Sequence, residues 1–225
     1  NHLTHQLRKT PEQHFKDIEK SVLYARQNGI SVNVYLEDWS NGMRNSMDYT
    51  MDLIGVLVQL QVRRIMLPDT LGLLNPREVS HFLKLITSEY PDTHFDFHAH
   101  NDYDLSVANV LEAIYNGVGG IHTTVNGLGE RAGNAPLESV IAVLKDFTDF
   151  KLNVKENKIY RVSKLVEQFS GQHIPANKPV VGENVFTQTA GIHADGDNKK
   201  NLYFNDLLPE RFGRQRKYAL GKTSG

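Results

Sequence analysis

The chain of 225 residues contains no cysteine. That excludes disulfides and thiolate metal sites, so any metal it holds must sit on nitrogen and oxygen ligands. It also lacks an excess of either charge: 25 lysines and arginines meet 26 aspartates and glutamates, for a formal charge of −1. A chain so balanced offers no field for a nucleic acid or a membrane surface. No apolar run approaches the roughly 18 residues that a bilayer span needs. The opening stretch, NHLTHQLRKT, is polar throughout and does not read as a secretory leader. Cytoplasmic residence is the resulting expectation. Low-complexity tracts are absent too, which leaves a composition of 40% hydrophobic and 23% charged residues, suited to a globular α/β domain with or without an appendage.

What is present is a repeated grammar. Thr10-Pro11 reads as a helix N-cap and first-turn proline, followed by Phe15, Ile18, Val22 and Ala25 at helical spacing until Asn28-Gly29. Residues 31–37 read as a strand, 46–60 as a helix, and 64–69 as a strand. Asn75-Pro76 opens a further helix with Val79, Phe82, Leu83 and Ile86 on one face. Then come a strand over 94–100, a helix over 106–115, a strand over 120–125 and a helix over 135–144. Strands that end near 37, 69, 100 and 126 recur about every 30 residues, the signature of βαβ units in a parallel sheet. Polar residues stand at the C-terminal end of all four strands, as in a barrel, whereas an open doubly wound sheet uses one switch point. Four strands are half of what a barrel needs. The expected fold is the second half of a (β/α)8 TIM barrel over 1–150, its first half lying outside this sequence. A mainly helical linker subdomain is expected over 151–225, with helices at 154–169 and 183–194. The basic, glycine-punctuated stretch 207–225 reads as the start of a further linker.

The segment FDFHAHND at 95–102 carries the strongest chemical signal. Alternation along a strand puts Asp96, His98 and His100 on one face and Phe95, Phe97 and Ala99 on the other. Two imidazoles side by side at a strand end suit one divalent metal ion; the pair reads equally as one core histidine and one exposed. Glu37 shares its strand face with Tyr35 and Asn33 and stands either as a proton-handling carboxylate or as a solvated strand-end acid. Thr70 offers a hydroxyl for a substrate carboxylate, while Asp69 suits holding the loop through backbone hydrogen bonds. NGLGERAGN at 126–134 lacks the order of a nucleotide-binding loop. Its Asn134 reads as a helix N-cap or as a group facing a metal. GIHADGD at 191–197 has the polarity of an exposed loop and holds His193 and Asp195.

Taken in order, LED, LPDT, FHAHNDYDLSVAN, NGLGERAGN and FTQTAGIHADG resemble the acetyl-CoA-dependent condensing enzymes. These are the α-isopropylmalate, citramalate and homocitrate synthases. The resemblance runs from about residue 10 to the end, and it implies an acyltransferase that joins acetyl-CoA to a 2-oxo acid in leucine or isoleucine biosynthesis. It implies a divalent metal (Zn, Mn or Mg) on His98 and His100 with Asn134 in or beside its coordination. Glu37 would sit beside the reacting centre and Thr70 on the substrate carboxylate. His193 and Asp195 would assist deprotonation, and Tyr203 would close the site. Those three would act on a neighbouring subunit, so a homodimer is implied.

The family's third metal ligand and its arginine neighbour belong to a first barrel strand that this sequence lacks. The chain on its own is therefore expected to be inactive. Tyr35 is bulky where isopropylmalate synthases tend to be small, which leans the reading toward pyruvate and citramalate synthase, with 2-oxoisovalerate next. Homocitrate synthase is the weaker option, since no basic residue is placed for a second carboxylate. A metal-dependent acyl-CoA lyase of the hydroxymethylglutaryl-CoA type is the alternative enzyme class, and a non-catalytic barrel remnant is the third possibility.

Overall fold

The computed structural model describes residues 2–221; residues 222–225, the tail of the stretch expected to begin a further linker, lie outside them. The chain forms two compact units, one of residues 1–123 with 129–135, the other of 124–128 with 136–225.

In the first unit a short π-helical turn, His2–Leu7, precedes α1 (Pro11–Gln27), whose start is closed by a capping box: Gln13 N–H donates to the Thr10 hydroxyl, and Thr10 N–H donates to the Gln13 side chain. There follow β1 (Asn33–Tyr35), α2 (Trp39–Asn45), α3 (Met47–Gln59), β2 (Arg64–Asp69), α4 (Pro76–Glu89), β3 (Phe95–Ala99), α5 (Ser106–Tyr115) and β4 (Gly120–His122). Asn75 caps α4 in the same way, with Glu78 as its partner. The four strands are parallel and lie side by side in the order β1-β2-β3-β4. Sequential order with no reversal is the topology of a (β/α)8 barrel and not of a doubly wound sheet.

Alternation along the strands separates two environments. Ile65, Leu67, Phe95, Phe97 and Ala99 are fully buried on the helix side, with Leu57, Leu83, Ile86 and Ala113 from α3, α4 and α5 also buried. Each such isoleucine, leucine and phenylalanine contributes roughly 1.5–3 kcal/mol of burial. The other face carries Tyr35, Met66, Asp96, His98 and His122, aligned in register across the sheet.

The first unit departs from the sequence expectation at three places. β1 spans three residues, so Glu37 falls in the turn after it and not on the strand. A helix absent from the expectation, α2, follows because Trp39 and Met43 bury against the sheet, Trp39 meeting Phe82 and Phe97 edge-on at 6.3 Å. β4 stops at His122, since Thr124 pairs onward with Pro136 and Asn126 takes a left-handed turn at φ 61°.

The second unit holds α6 (Leu137–Phe147), α7 (Ile159–Ser170), β5 (Thr187–Gln188), α8 (Gly191–Asn198) and β6 (Lys217–Tyr218). Its core joins Ile141, Ile159, Val181, Phe186 and Phe212. Arg211 lies among acids, 2.8 Å from both Asp146 and Glu156. The helix expected over 183–194 does not form: Phe186 stacks on Phe212, and Thr187–Gln188 pair with Lys217–Tyr218. The helix begins later, at Gly191, in the segment expected to be an exposed loop. α7 starts at Ile159, led in directly by a 3-10 turn over Glu156–Lys158, so the segment expected to be helical from 154 becomes helical two residues later, after exposed Val154. Among the described residues, no helix is long and apolar enough to cross a membrane.

Glu138, 1% exposed in α6, accepts a hydrogen bond from Asn126 N–H, and burial raises its carboxyl above the usual range. The folded state therefore holds this proton to higher pH than the unfolded chain does. The stability this group contributes is full below its ordinary value near 4.5 and declines as pH rises through the folded value. Glu138→Gln should flatten that decline in urea-unfolding curves recorded across pH; an unchanged pH profile would count against the assignment.

Candidate functional site

Polar side chains gather at the C-terminal ends of the four strands, all within the first unit. Pairing of Pro68 with His98 and of Asp69 with Ala99 sets β3 against β2, and pairing of His98 with His122 sets β4 against β3. The His98 and His100 ring centroids are 5.0 Å apart, and those of His98 and His122 are 5.6 Å apart. Tyr35 lies 5.9 Å from both His98 and His122 by ring centroid. Asn134 comes alongside through a backbone bridge to His100, flanked by Ala135 N–H donating to Ala99 O at 3.0 Å. Gly129 makes room for it: a Cβ there would stand 2.4 Å from the Asn134 Nδ2.

Burial sets the electrostatics. Desolvation first, then His100 and His122 nearby, push His98 down to about 4, so this imidazole is neutral near pH 7 with a lone pair to offer. Both His98 and His100 bury an Nδ1 that meets no protein hydrogen-bond partner. Tyr35 is pushed up to about 12, chiefly by desolvation, with the charges of Glu37 and Asp96 adding to it.

Two further residues, Asp96 and His122, belong to this face. Asp96 is 2% exposed, with His94 Nε2 2.7 Å away, Arg64 Nη1 at 3.3 Å and His122 Nε2 at 3.4 Å. On its other side, His122 Nδ1 is 3.3 Å from the Tyr35 hydroxyl. An Nε2–H tautomer facing the carboxylate leaves Nδ1 to accept from the tyrosine. His122 escaped the sequence reading because GIHTTV looks like an unremarkable strand; its place in register with His98 appears only once β3 and β4 pair.

The other expected residues fall as follows. Thr70 follows β2 directly after Asp69, which pairs with Ala99 and whose carbonyl accepts from His100 N–H at 3.3 Å, and the Thr70 hydroxyl oxygen accepts from Asp38 N–H at 3.0 Å. Buried Asp69 accepts from Leu73 N–H and Leu74 N–H, both at 3.1 Å, and so holds the loop after β2. Glu37 is exposed in its turn. In the second unit, the His193 and Tyr203 rings lie 4.3 Å apart, and Gly196 permits this approach, since a Cβ there would meet the Tyr203 ring at 2.4 Å. Asp195 pairs with Lys199 at 2.7 Å. Because the segment is helical, His193 and Asp195 at i and i+2 point to different sides. Among the described residues, no group of three His, Cys, Asp or Glu side chains is placed to hold a metal ion.

Fold and site together define a class: a parallel α/β barrel domain with its polar groups collected at the C-terminal edge of the strands. The HMGL-like family model matches residues 1–166, and the chain belongs to that family. Over 224 residues and the whole of this chain, 37% are identical in a 2-isopropylmalate synthase of Sulfurisphaera tokodaii, of which 57% is spanned. An (R)-citramalate synthase of Methanocaldococcus jannaschii is 36% identical, with 45% of it spanned, and a homocitrate synthase of Sulfolobus acidocaldarius is 38% identical, with 47% spanned. The chain thus spans about half the length of the curated relatives it matches. Among solved structures, an HMG-CoA lyase of Bacillus subtilis superposes with a TM-score of 0.66 at 22% identity, covering 77% of this chain and 61% of the lyase. At that identity the likeness concerns the fold.

Two outcomes follow from the inward face. A Cβ at Gly120 would lie 2.1 Å from the Asp96 carboxylate, so Gly120→Ala should cost about 1–3 kcal/mol in urea unfolding. In nitrogen-correlated NMR spectra, His122 should appear as the Nε2–H tautomer and lose that preference in Asp96→Asn; an Nδ1–H signal in the unsubstituted protein contradicts the arrangement.

Proposed function

We propose that this chain is part of a metal-dependent acyltransferase that condenses acetyl-CoA with a 2-oxo acid, of the 2-isopropylmalate and citramalate synthase type, in branched-chain amino-acid biosynthesis. The observation that carries the proposal is the His98–His100 pair, each with a buried ring nitrogen that no protein group meets. Such nitrogens lose their hydration without recompense unless a further atom reaches them. A divalent ion held by His98, His100 and Asn134 would satisfy them, and the imidazole pair would suit zinc better than magnesium. Any further ligand comes from outside these residues. When bound, the ion would act as a Lewis acid that polarises the keto carbonyl of the 2-oxo acid.

The chain's own residues supply the rest. Thr70, its oxygen engaged by Asp38 N–H, keeps its hydroxyl proton to donate to the substrate carboxylate. Glu37 stands beside the reacting carbonyl and handles the proton taken up by its oxygen as the carbon–carbon bond forms. His193, supplied by a second copy of the chain in a homodimer, assists removal of the acetyl methyl proton, Asp195 on another side of the same helix aids it through its charge, and Tyr203 closes the site. Water then hydrolyses the thioester and frees the coenzyme A thiol. Tyr35 occupies the inward row beside His98, so a short substrate, pyruvate, fits ahead of 2-oxoisovalerate; the difference is worth roughly 1–3 kcal/mol. The synthase reading stands ahead of an acyl-CoA lyase because the synthases match over the whole chain.

The full-length protein with acetyl-CoA and pyruvate should release free thiol, measured with a thiol reagent, faster than with 2-oxoisovalerate or 2-oxoglutarate. No thiol with any 2-oxo acid would sink the proposal. His98→Ala or His100→Ala should weaken binding of manganese or zinc at least about tenfold by calorimetry. Tyr35→Ala should move the preference toward 2-oxoisovalerate by about tenfold or more.

A further inference from the structure

Arg131 lies in the GERAGN loop after β4 and has no part in the chemistry proposed above. Its backbone sits in the left-handed region at φ 55°, unusual for a residue that is not glycine. From there its guanidinium reaches the loops that follow two other strands. Nε donates to Asp102 Oδ1 at 2.8 Å and Nη2 to Asp102 Oδ2 at 3.0 Å, a bidentate fork on the loop after β3. Nη2 also donates to Thr70 O at 2.7 Å, on the loop after β2. The two loops touch beneath it: Gly72 has φ +58°, and a Cβ there would lie 2.7 Å from Asp102 Oδ2 and 3.0 Å from His100 O. Asn101 N–H donates to Gly133 O at 2.9 Å and closes the circuit.

We propose that Arg131 is a positioning residue that clamps the loops after β2 and β3 and thereby fixes the Thr70 hydroxyl relative to His100. The role in catalysis rests on the function proposed above; the clamp itself does not. Thr70 is held at two points, its carbonyl by Arg131 and its hydroxyl oxygen by Asp38 N–H, so the bond chain runs across the loops after β1, β2, β3 and β4. An exposed ion pair alone would contribute little, yet a planar fork that makes three directed bonds does more than a point charge. Lysine keeps the charge and loses the fork, so it should not substitute.

The test uses the full-length protein with Arg131→Lys, Arg131→Met and Asp102→Asn. In thiol-release kinetics, both arginine variants should raise KM for the 2-oxo acid by about tenfold or more, while KM for acetyl-CoA stays within about twofold. Asp102→Asn, which keeps one acceptor oxygen, should fall between. Hydrogen exchange, which needs no activity, should show the Leu73 and Asn101 amides losing protection together in Arg131→Met. A rise confined to KM for acetyl-CoA would make Arg131 a ligand of the coenzyme and overturn the proposal. So would full function in Arg131→Lys, or unchanged exchange at both amides. If the unsubstituted protein releases no thiol, the proposed reaction falls, and the exchange experiment still decides the clamp.

Discussion

The alternation of β3 is the constraint on which the rest depends. Five residues, Phe95–Ala99, put three buried apolar side chains on one side and Asp96 and His98 on the other. A slip of one residue against β2 would send the histidines into the helix layer and the phenylalanines to the open face. Burial of Phe95 and Phe97 therefore fixes where His98 stands. The site inherits its precision from the hydrophobic core, which is why its chemical groups can come from a strand so short. His98 makes no protein hydrogen bond through its buried nitrogen, and packing alone holds it in place.

Much of this was legible in the sequence, and for a physical reason. Periodicity and caps are local signals, so α4 with its Asn75-Pro76 start, β2 and α5 form at the expected positions. β3 likewise falls within its expected span. The errors lie where tertiary contacts decide. Trp39 turns the polar-looking WSNGMRN segment into a helix because the indole is buried against Phe82 and Phe97. The span 183–194 reads as a helix, but Phe186 is claimed by Phe212 and the chain turns to pair with Lys217–Tyr218. In α8, two glycines and two aspartates disfavour a helix locally, and Tyr203 packed against Gly196 supplies the contact that sequence spacing cannot show.

The same division holds for the site. His98 and His100 could be paired from spacing alone, because a strand places i and i+2 on one face. Asn134 lies far along the chain and joins them only through the bridge to His100. His122 and Asp96 meet across the β3–β4 pairing, a long-range register that no local pattern carries. His193 and Asp195 illustrate the reverse case: a loop reading makes them neighbours, whereas the helix turns them apart and gives Asp195 to Lys199.

The glycines of the GERAGN region explain why that motif resembles a phosphate loop without being built like one. In a phosphate cradle, glycine lets backbone N–H groups converge on an anion at a helix N-terminus. Here the space is already taken. Gly129 yields to the Asn134 carboxamide, and Gly133, at φ +87°, turns its carbonyl toward Asn101 N–H. The helix that follows, α6, starts at Leu137 behind Pro136, with no side-chain cap, and nearby Asn126 N–H is engaged by Glu138. Glycine in this loop thus serves close approach between protein groups. The arginine of the loop reaches across the neighbouring strand ends and spends its donors on Asp102 and Thr70. A motif that looks like a ligand cradle is built as a brace for the site beside it.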